Sequence, residues 1–102
     1  MWHAVAYVCD VLHPVDAEAT MLFTLAEMNP LRLFEKYLRP LVERCVGEVK
    51  EAEVGDIYFD PGIGLVIEYI ARHSRGAVSA KLIYSHSPEK ALAAYYARRG
   101  RP

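Results

Sequence analysis

The sequence lacks the long apolar run that a membrane-spanning helix requires. Such a helix needs about 20 apolar residues, and charged side chains interrupt every apolar stretch of this 102-residue chain well before that length. Internal repeats and low-complexity tracts are absent too. With 53% hydrophobic residues, 25% charged residues and a net charge of −1, the composition predicts a soluble globular protein. We expect a single domain over residues 1–102, with a flexible basic tail at 98–102.

The N-terminal segment, Met1 to Val5, has neither the basic start nor the small-residue cleavage site of a secretory signal. A cytoplasmic location is therefore the expectation. Glycine-rich phosphate-binding fingerprints are also missing. The sequence accordingly predicts no cofactor and identifies no small-molecule ligand.

Amide side chains are nearly absent, since the chain has no glutamine and a single asparagine, Asn29, whereas glutamate outnumbers aspartate by nine to four. Loss of heat-labile amides with a gain of glutamate is typical of proteins from very hot environments. In this composition the whole chain resembles small uncharacterised proteins of hyperthermophilic archaea of the Pyrobaculum kind. The resemblance includes no motif of a characterised family. It implies heat stability and assigns no activity to any residue.

Only two cysteines are present, Cys9 and Cys45, which are too few for a zinc site. Intracellular proteins of hyperthermophiles are an exception to the rule that cytosolic thiols stay reduced. A disulfide between positions 36 residues apart is therefore a candidate, and it would contribute about 3–4 kcal/mol through the unfolded chain. Pairing between two chains and two buried free thiols remain alternatives.

The first half of the chain predicts one strand followed by two helices. Residues Trp2–Leu12 are apolar on both parities, which favours an interior strand that ends at His13-Pro14. A mostly apolar helix follows over 17–28. Asn29-Pro30 opens a second helix that should kink at Pro40 and end at Gly47, with Cys45 in its last turn.

The second half predicts three strands and a final helix. Residues 48–53 are an acidic connector, 54–59 and 77–85 have strand patterns, and Ser87-Pro88 begins a helix. Residues 65–72 fit either a strand or a helix, and the glycine-rich turn before them favours a strand. The predicted order is β-α-α-β-β-β-α. The fold class is therefore α+β, a two-layer sandwich with about four strands and helices on one face.

Asp56 and Glu68, separated by a glycine-rich turn, carry the one resemblance to an enzyme class. Acids on such a hairpin resemble the metal-dependent nucleases of the PD-(D/E)xK class, in which they hold Mg²⁺. That resemblance implies a metal site at Asp56 and Glu68, but Ile70 stands where the class has a lysine, so Lys81 would have to substitute. The structural alternative places Asp56 in a turn and Glu68 on a solvated face.

The four histidines, His3, His13, His73 and His86, lack the close spacing typical of metal ligands. We expect them at the surface or at strand ends. His73 together with Lys81 and Tyr84 has the chemistry for metal-free RNA cleavage if neighbouring strands bring the three together.

Charge is divided unevenly along the chain, with a net of −7 over residues 1–71 and +6 over 72–102. One interpretation is a basic surface for single-stranded nucleic acid. The alternative is that the basic part folds against the acidic part in surface ion pairs. The candidate residues are Arg72, Arg75, Lys81, Lys90, Arg98, Arg99 and Arg101.

Opposite charge poles and amphipathic aromatic residues also favour self-association. We expect a homodimer, with Tyr95 and Tyr96 as interface candidates. The leading hypothesis is a heat-stable, non-enzymatic binding or assembly domain, and a further protein partner is an alternative to the second copy. The alternative is a protein that binds nucleic acid, or a degenerate metal-dependent nuclease, that uses the basic C-terminal third.

Overall fold

The computed structural model describes residues 1–99 and contains one antiparallel sheet. Its strands are β1 (His3–Val8), β2 (Val11–Val15), β3 (Glu51–Asp60), β4 (Gly64–His73) and β5 (Gly76–Ser85). Their order across the sheet is β2-β1-β5-β4-β3. The predicted mixture of helices and strands is confirmed, and the strand preferred for 65–72 is β4. The sheet has five strands, however, where about four were predicted.

The additional strand arises at Cys9 and Asp10. Both residues have positive φ, 49° and 65°, and they connect Val8 to Val11, which pair directly. Two such residues are the backbone of a type I′ hairpin turn, usually marked by Asn-Gly. The single strand predicted over Trp2–Leu12 is thus wrong, because this turn lacks the usual residue types.

The predicted strand end at His13-Pro14 is also wrong, because β2 continues to Val15. Pro14 lies opposite Val5 of β1. β2 is an edge strand with a partner on one side only. Proline cannot donate a hydrogen bond to a sheet, and an edge strand tolerates it because only one side of the strand needs such donors.

The helices form two groups along the chain. They are α1 (Ala19–Met28), α2 (Pro30–Leu33), a π-helical segment (Phe34–Leu38), α3 (Arg39–Val46) and α4 (Pro88–Arg99). The Arg39 N–H donates to the Phe34 carbonyl five residues back, immediately before Pro40, which has no N–H to donate. The irregularity predicted at Pro40 is therefore a widened turn. Gly47, with φ of 91°, ends α3 as predicted.

The two groups of helices cover opposite faces of the sheet. Leu22, Phe34 and Leu38 of the first group pack on one face, against residues such as Ile67 and Leu82. On the other face, α4 packs against Val66 and Ile83 through the side chains Ala91, Leu92 and Tyr95. The prediction of two layers with helices on one face is wrong. Both parities of β4 are buried, a pattern that requires a cover on each side.

Cys9 and Cys45 form a disulfide within the chain, with Cα atoms 6.8 Å apart. The bond joins the β1–β2 turn to the last turn of α3. Of the alternatives left open by the sequence, the intramolecular one is the one present. The bond attaches the β1–β2 hairpin to the helical layer, although the turn of this hairpin lacks the usual glycine.

No helix within residues 1–99 combines the length and apolar character needed to cross a membrane. The predicted flexible tail lies partly outside the described residues, which end with Arg98 and Arg99 in the last turn of α4.

Replacing both cysteines with alanine tests the contribution of the disulfide. We expect the free energy of unfolding to fall by about 3–4 kcal/mol, because the unfolded chain regains the freedom of a long loop. Guanidinium unfolding of the double variant and of the wild type, with and without reductant, measures this. Reductant should destabilise the wild type and leave the variant unchanged; equal midpoints for oxidised wild type and variant would contradict the expectation.

Candidate functional site

A row of polar side chains crosses the sheet on the face covered by α4. Asp56 of β3 is opposite Glu68 of β4, Glu68 is opposite Lys81 of β5, and Lys81 is opposite Tyr7 of β1. Directly opposed residues of a sheet share a face. The structure therefore brings together Asp56, Glu68 and Lys81, which the sequence singled out, and adds Tyr7 to them.

Glu68 is the centre of this row and is only 9% exposed. One carboxylate oxygen accepts hydrogen bonds from the Tyr95 hydroxyl at 2.9 Å and from Arg99 at 2.7 Å. The other accepts one from Ser79 at 3.0 Å and lies 3.9 Å from the buried Lys81 Nζ. The expectation of a solvated face at Glu68 is wrong, because α4 covers it.

The surroundings of Glu68 favour its charged form. Burial alone raises the pKa of the carboxyl, but the hydrogen bonds from Tyr95, Ser79 and Arg99, with the charge of Lys81, outweigh it, and the pKa of Glu68 is lowered. Burial, followed by the hydrogen bond to Glu68, raises the pKa of Tyr95 to about 12. At neutral pH the tyrosine therefore remains a donor and the glutamate an acceptor.

Asp56 is bound by Arg98 of α4, whose guanidinium also lies over the Tyr58 ring, 4.9 Å from its centroid. Both acids of the predicted metal site are therefore bound by arginines, Asp56 by Arg98 and Glu68 by Arg99. Among residues 1–99 no group of three or more histidine, cysteine, aspartate or glutamate side chains is placed to hold a metal ion. As arranged here, the row binds a helix to a sheet.

The basic residues of the C-terminal third are largely engaged by acids from the first part of the chain. Four of the seven candidates form ion pairs: Arg72 with Glu53, Arg98 with Asp56, and Arg99 and Lys81 with Glu68. Arg75 and Lys90 are exposed, and Arg101 lies outside the described residues. This arrangement supports the ion-pair interpretation of the uneven charge.

The three residues considered for RNA cleavage do not converge. Lys81 lies on the face covered by α4, opposite Glu68. Tyr84, three residues further along β5, is opposite Leu65 and packs with the other face. His73 is at the far end of β4, opposite Gly76. The alternation of side chains along β5 separates groups that are close in sequence.

The tyrosines predicted at a dimer interface have different environments. Tyr95 is fully buried within its own chain and holds Glu68, so it has no surface to offer a second copy. Tyr96 is 48% exposed and its ring lies 5.2 Å from Lys81 Nζ. The tyrosine pair therefore does not form one exposed surface.

An apolar groove on the opposite face was not anticipated from the sequence. We call it the α1–β3 groove; its volume is about 360 Å³. It is lined by Phe23, Ala26 and Glu27 of α1, Ile57 and Phe59 of β3, and Leu65 of β4. The Phe23 and Phe59 rings pack edge to face, with centroids 5.7 Å apart.

The groove leaves large apolar side chains in contact with solvent. Phe59 is 51% exposed and Ile57 is 42% exposed. Within residues 1–99, eight large hydrophobic residues are exposed, and five of them belong to α1, α2 or β3: Phe23, Met28, Leu31, Ile57 and Phe59. Exposed apolar residues gathered on adjoining elements are typical of interaction surfaces.

No family model, no curated protein and no solved structure matches this chain. The features that bear on function are the polar row under α4 and the α1–β3 groove.

Replacing Glu68 with glutamine tests the role of the buried charge. Because the folded-state pKa of Glu68 is lowered, the charge stabilises the fold above the ordinary value of 4.5, and this stabilisation is lost as pH falls through the folded pKa. We expect Glu68→Gln to lower the free energy of unfolding by about 1–3 kcal/mol at neutral pH. Urea unfolding between about pH 3 and pH 7 measures the free energy of unfolding of the wild type and of Glu68→Gln while the carboxyl group titrates.

Two comparisons make that test specific. Glu51→Gln, at an exposed glutamate of β3, should leave stability nearly unchanged. The difference between wild type and Glu68→Gln should shrink as the solution is acidified. A difference that stays constant over the whole pH range would show that the charge of Glu68 contributes nothing.

Proposed function

We propose that this protein is a heat-stable, non-enzymatic assembly domain that acts by binding, and that it forms a homodimer through the α1–β3 groove and the outer edge of β3. One observation carries the proposal. The longest open edge of the sheet, a ten-residue strand, presents exposed Ile57 and Phe59 beside an apolar groove.

The two edges of the sheet differ in their capacity to pair. An edge strand exposes unpaired backbone N–H and C=O groups, and proteins block such edges with short strands and prolines. β2 has five residues and contains Pro14, so it is blocked. β3 is twice as long and contains no proline. The open edge is therefore the one that also carries the apolar side chains.

The charged residues of β3 favour a second copy of this chain as the partner at the open edge. β3 carries Glu51, Glu53, Asp56 and Asp60, which disfavours indiscriminate pairing. Glu53 and Asp56 are already bound by Arg72 and Arg98, so the interface would contain cations as well as anions. In an isologous dimer each copy supplies the same mixed surface to the other.

Association also fits the other stabilising features of the chain. Burying the remaining exposed half of Ile57 or Phe59 contributes about 1 kcal/mol for each side chain. A dimer stabilises the folded state by mass action, in addition to the disulfide and the ion pairs between α4 and the sheet. In the polar row, Asp56, Glu68 and Lys81 are engaged with one another or with α4, which supports a structural role.

Phe59→Lys should abolish the dimer. The substitution places a charge in the middle of the apolar contact, and charged side chains are depleted from interface cores. Sedimentation velocity over a range of protein concentrations measures the effect, and we expect the wild type to shift to twice the monomer mass while the variant remains monomeric.

Val11→Lys is the matched control. Val11 lies on the blocked edge strand β2 and is 52% exposed, against 51% for Phe59. The control should dimerise like the wild type. A monomeric wild type, or loss of the dimer in both variants, would contradict the proposal.

The alternative function in nucleic-acid binding predicts a different result. Since four of the seven basic candidates are paired internally, we expect no binding of single-stranded RNA or DNA oligonucleotides even at about 50 mM salt, where phosphate contacts are strong. Fluorescence anisotropy of labelled oligonucleotides measures this. Binding that falls steeply with salt and is lost when Arg98 and Arg99 are replaced with alanine would favour the alternative.

A further inference from the structure

We infer that two copies of the chain pair their β3 strands antiparallel about a two-fold axis at Tyr58, and that Arg98 of each copy bridges its own Asp56 to Asp60 of the other. The inference rests on the proposed homodimer, and it adds the register of the contact and the charged residues that set it. The result is one continuous sheet built from both copies.

A bulge limits which part of β3 can pair regularly. The register with β4 shifts between Val54 and Asp56, so Gly55 is the extra residue. A Cβ added at Gly55 would lie 2.9 Å from a Glu68 carboxylate oxygen, which shows that Gly55 faces the same side as Asp56. Alternation is regular on both sides of the bulge, over 51–54 and over 56–60. The exposed Ile57 and Phe59 lie in the second stretch, which ends before Pro61.

Symmetry restricts the register within this stretch. A two-fold axis perpendicular to the sheet keeps each face on its own side, and opposed residues of an antiparallel pair share a face. The axis therefore passes midway between one residue and the same residue of the second copy. An axis at Tyr58 uses all of this stretch and sets Ile57 of each copy opposite Phe59 of the other.

The neighbouring choice is less favourable. An axis at Ile57 sets Phe59 opposite Gly55 of the second copy, inside the bulge, where the faces no longer correspond. It also leaves Phe59 without an apolar partner across the interface. The Tyr58 axis instead makes two apolar pairs that extend the α1–β3 groove of each copy.

The same register brings acids together on the face covered by α4. Asp56 of one copy is opposite Asp60 of the other, and like charges in directly opposed positions are unfavourable. Arg98 is already bound to Asp56, and its guanidinium lies over the Tyr58 ring, 4.9 Å from the ring centroid. Tyr58 is the residue next to the axis, so Arg98 lies close to the second copy. Its side chain is 44% exposed, so its remaining donors are available to a second carboxylate.

Asp60 is prepared to accept that contact. Its Oδ1 accepts a hydrogen bond from the Gly62 N–H at 2.8 Å, which orients the carboxylate at the strand end. Oδ2 is then the acceptor for Arg98 of the second copy. The interface thus contains two bridges related by the two-fold axis, and in each of them one Arg98 binds Asp56 of its own copy and Asp60 of the other.

Engineered disulfides test the register, because a disulfide requires Cβ atoms about 3.5–4.5 Å apart. The native cysteines are already bonded to each other and do not compete. Under mild oxidation, Tyr58→Cys should form a covalent dimer with itself. Ile57→Cys and Phe59→Cys should each fail alone and should crosslink when the two variants are mixed, as non-reducing electrophoresis would show.

Sedimentation of the same samples separates the possible failures. If the variants are dimeric and Ile57→Cys crosslinks to itself while Tyr58→Cys does not, the register is wrong and the proposed homodimer stands. If they are dimeric and none of the samples crosslinks, the dimer uses another surface, which overturns both the inference and the proposed interface at the β3 edge. If the wild type is monomeric, the proposed function itself fails.

Asp60→Asn tests the bridge separately, because asparagine retains the acceptor for the Gly62 N–H and removes the charge. We expect the dimer dissociation constant to rise about 3- to 10-fold at low salt, because exposed ion pairs contribute only modestly to binding. The constant should converge with that of the wild type at about 1 M salt. Glu51→Gln, outside the paired stretch, is the charge-matched control. An unchanged constant for Asp60→Asn would remove the bridge from the inference.

Discussion

Both faces of the sheet are covered by helices, so the sheet meets solvent chiefly at its edges. The helices α1 to α3 bury one face and α4 buries the other. Of the two edges, one is short and contains Pro14, and the other is long, open and apolar in its second half. This difference between the edges is the physical basis of the proposed assembly.

The cover on the second face depends on Glu68. Without α4, Glu68 and Lys81 would lie on a solvated sheet face. With it, Tyr95 and Arg99 both donate hydrogen bonds to one oxygen of the Glu68 carboxylate. The uneven charge along the chain is the sequence signature of this contact, because the basic end of the chain returns to bind acids of β3 and β4. The same contact places Arg98 above Tyr58, at the open edge.

Much of the fold was predictable from local signals. Residues that end or begin elements, Gly47, Pro61 and Ser87-Pro88, located the later strands and α4. Cys45 lies in the last turn of α3, as predicted. The turn at Cys9 and Asp10 was missed because cysteine rarely adopts positive φ and because the glycine usual at the second turn position is absent. The side of the sheet that α4 covers depends on long-range packing, although burial on both parities of β4 was a signal for it.

The candidate site was predicted only in part. The sequence pattern grouped Asp56, Glu68 and Lys81 and left ion pairing of the basic part as an alternative, but it did not identify Arg98 and Arg99 as the partners of the two acids. It missed the groove, whose signal was the pair Ile57 and Phe59 between two aspartates. Hydrogen exchange of the β3 amides is the sharpest test of assembly through this edge. Raising protein concentration should slow exchange over 56–60 while 11–15 stays unchanged, and exchange over 56–60 that is independent of concentration would contradict assembly through this edge.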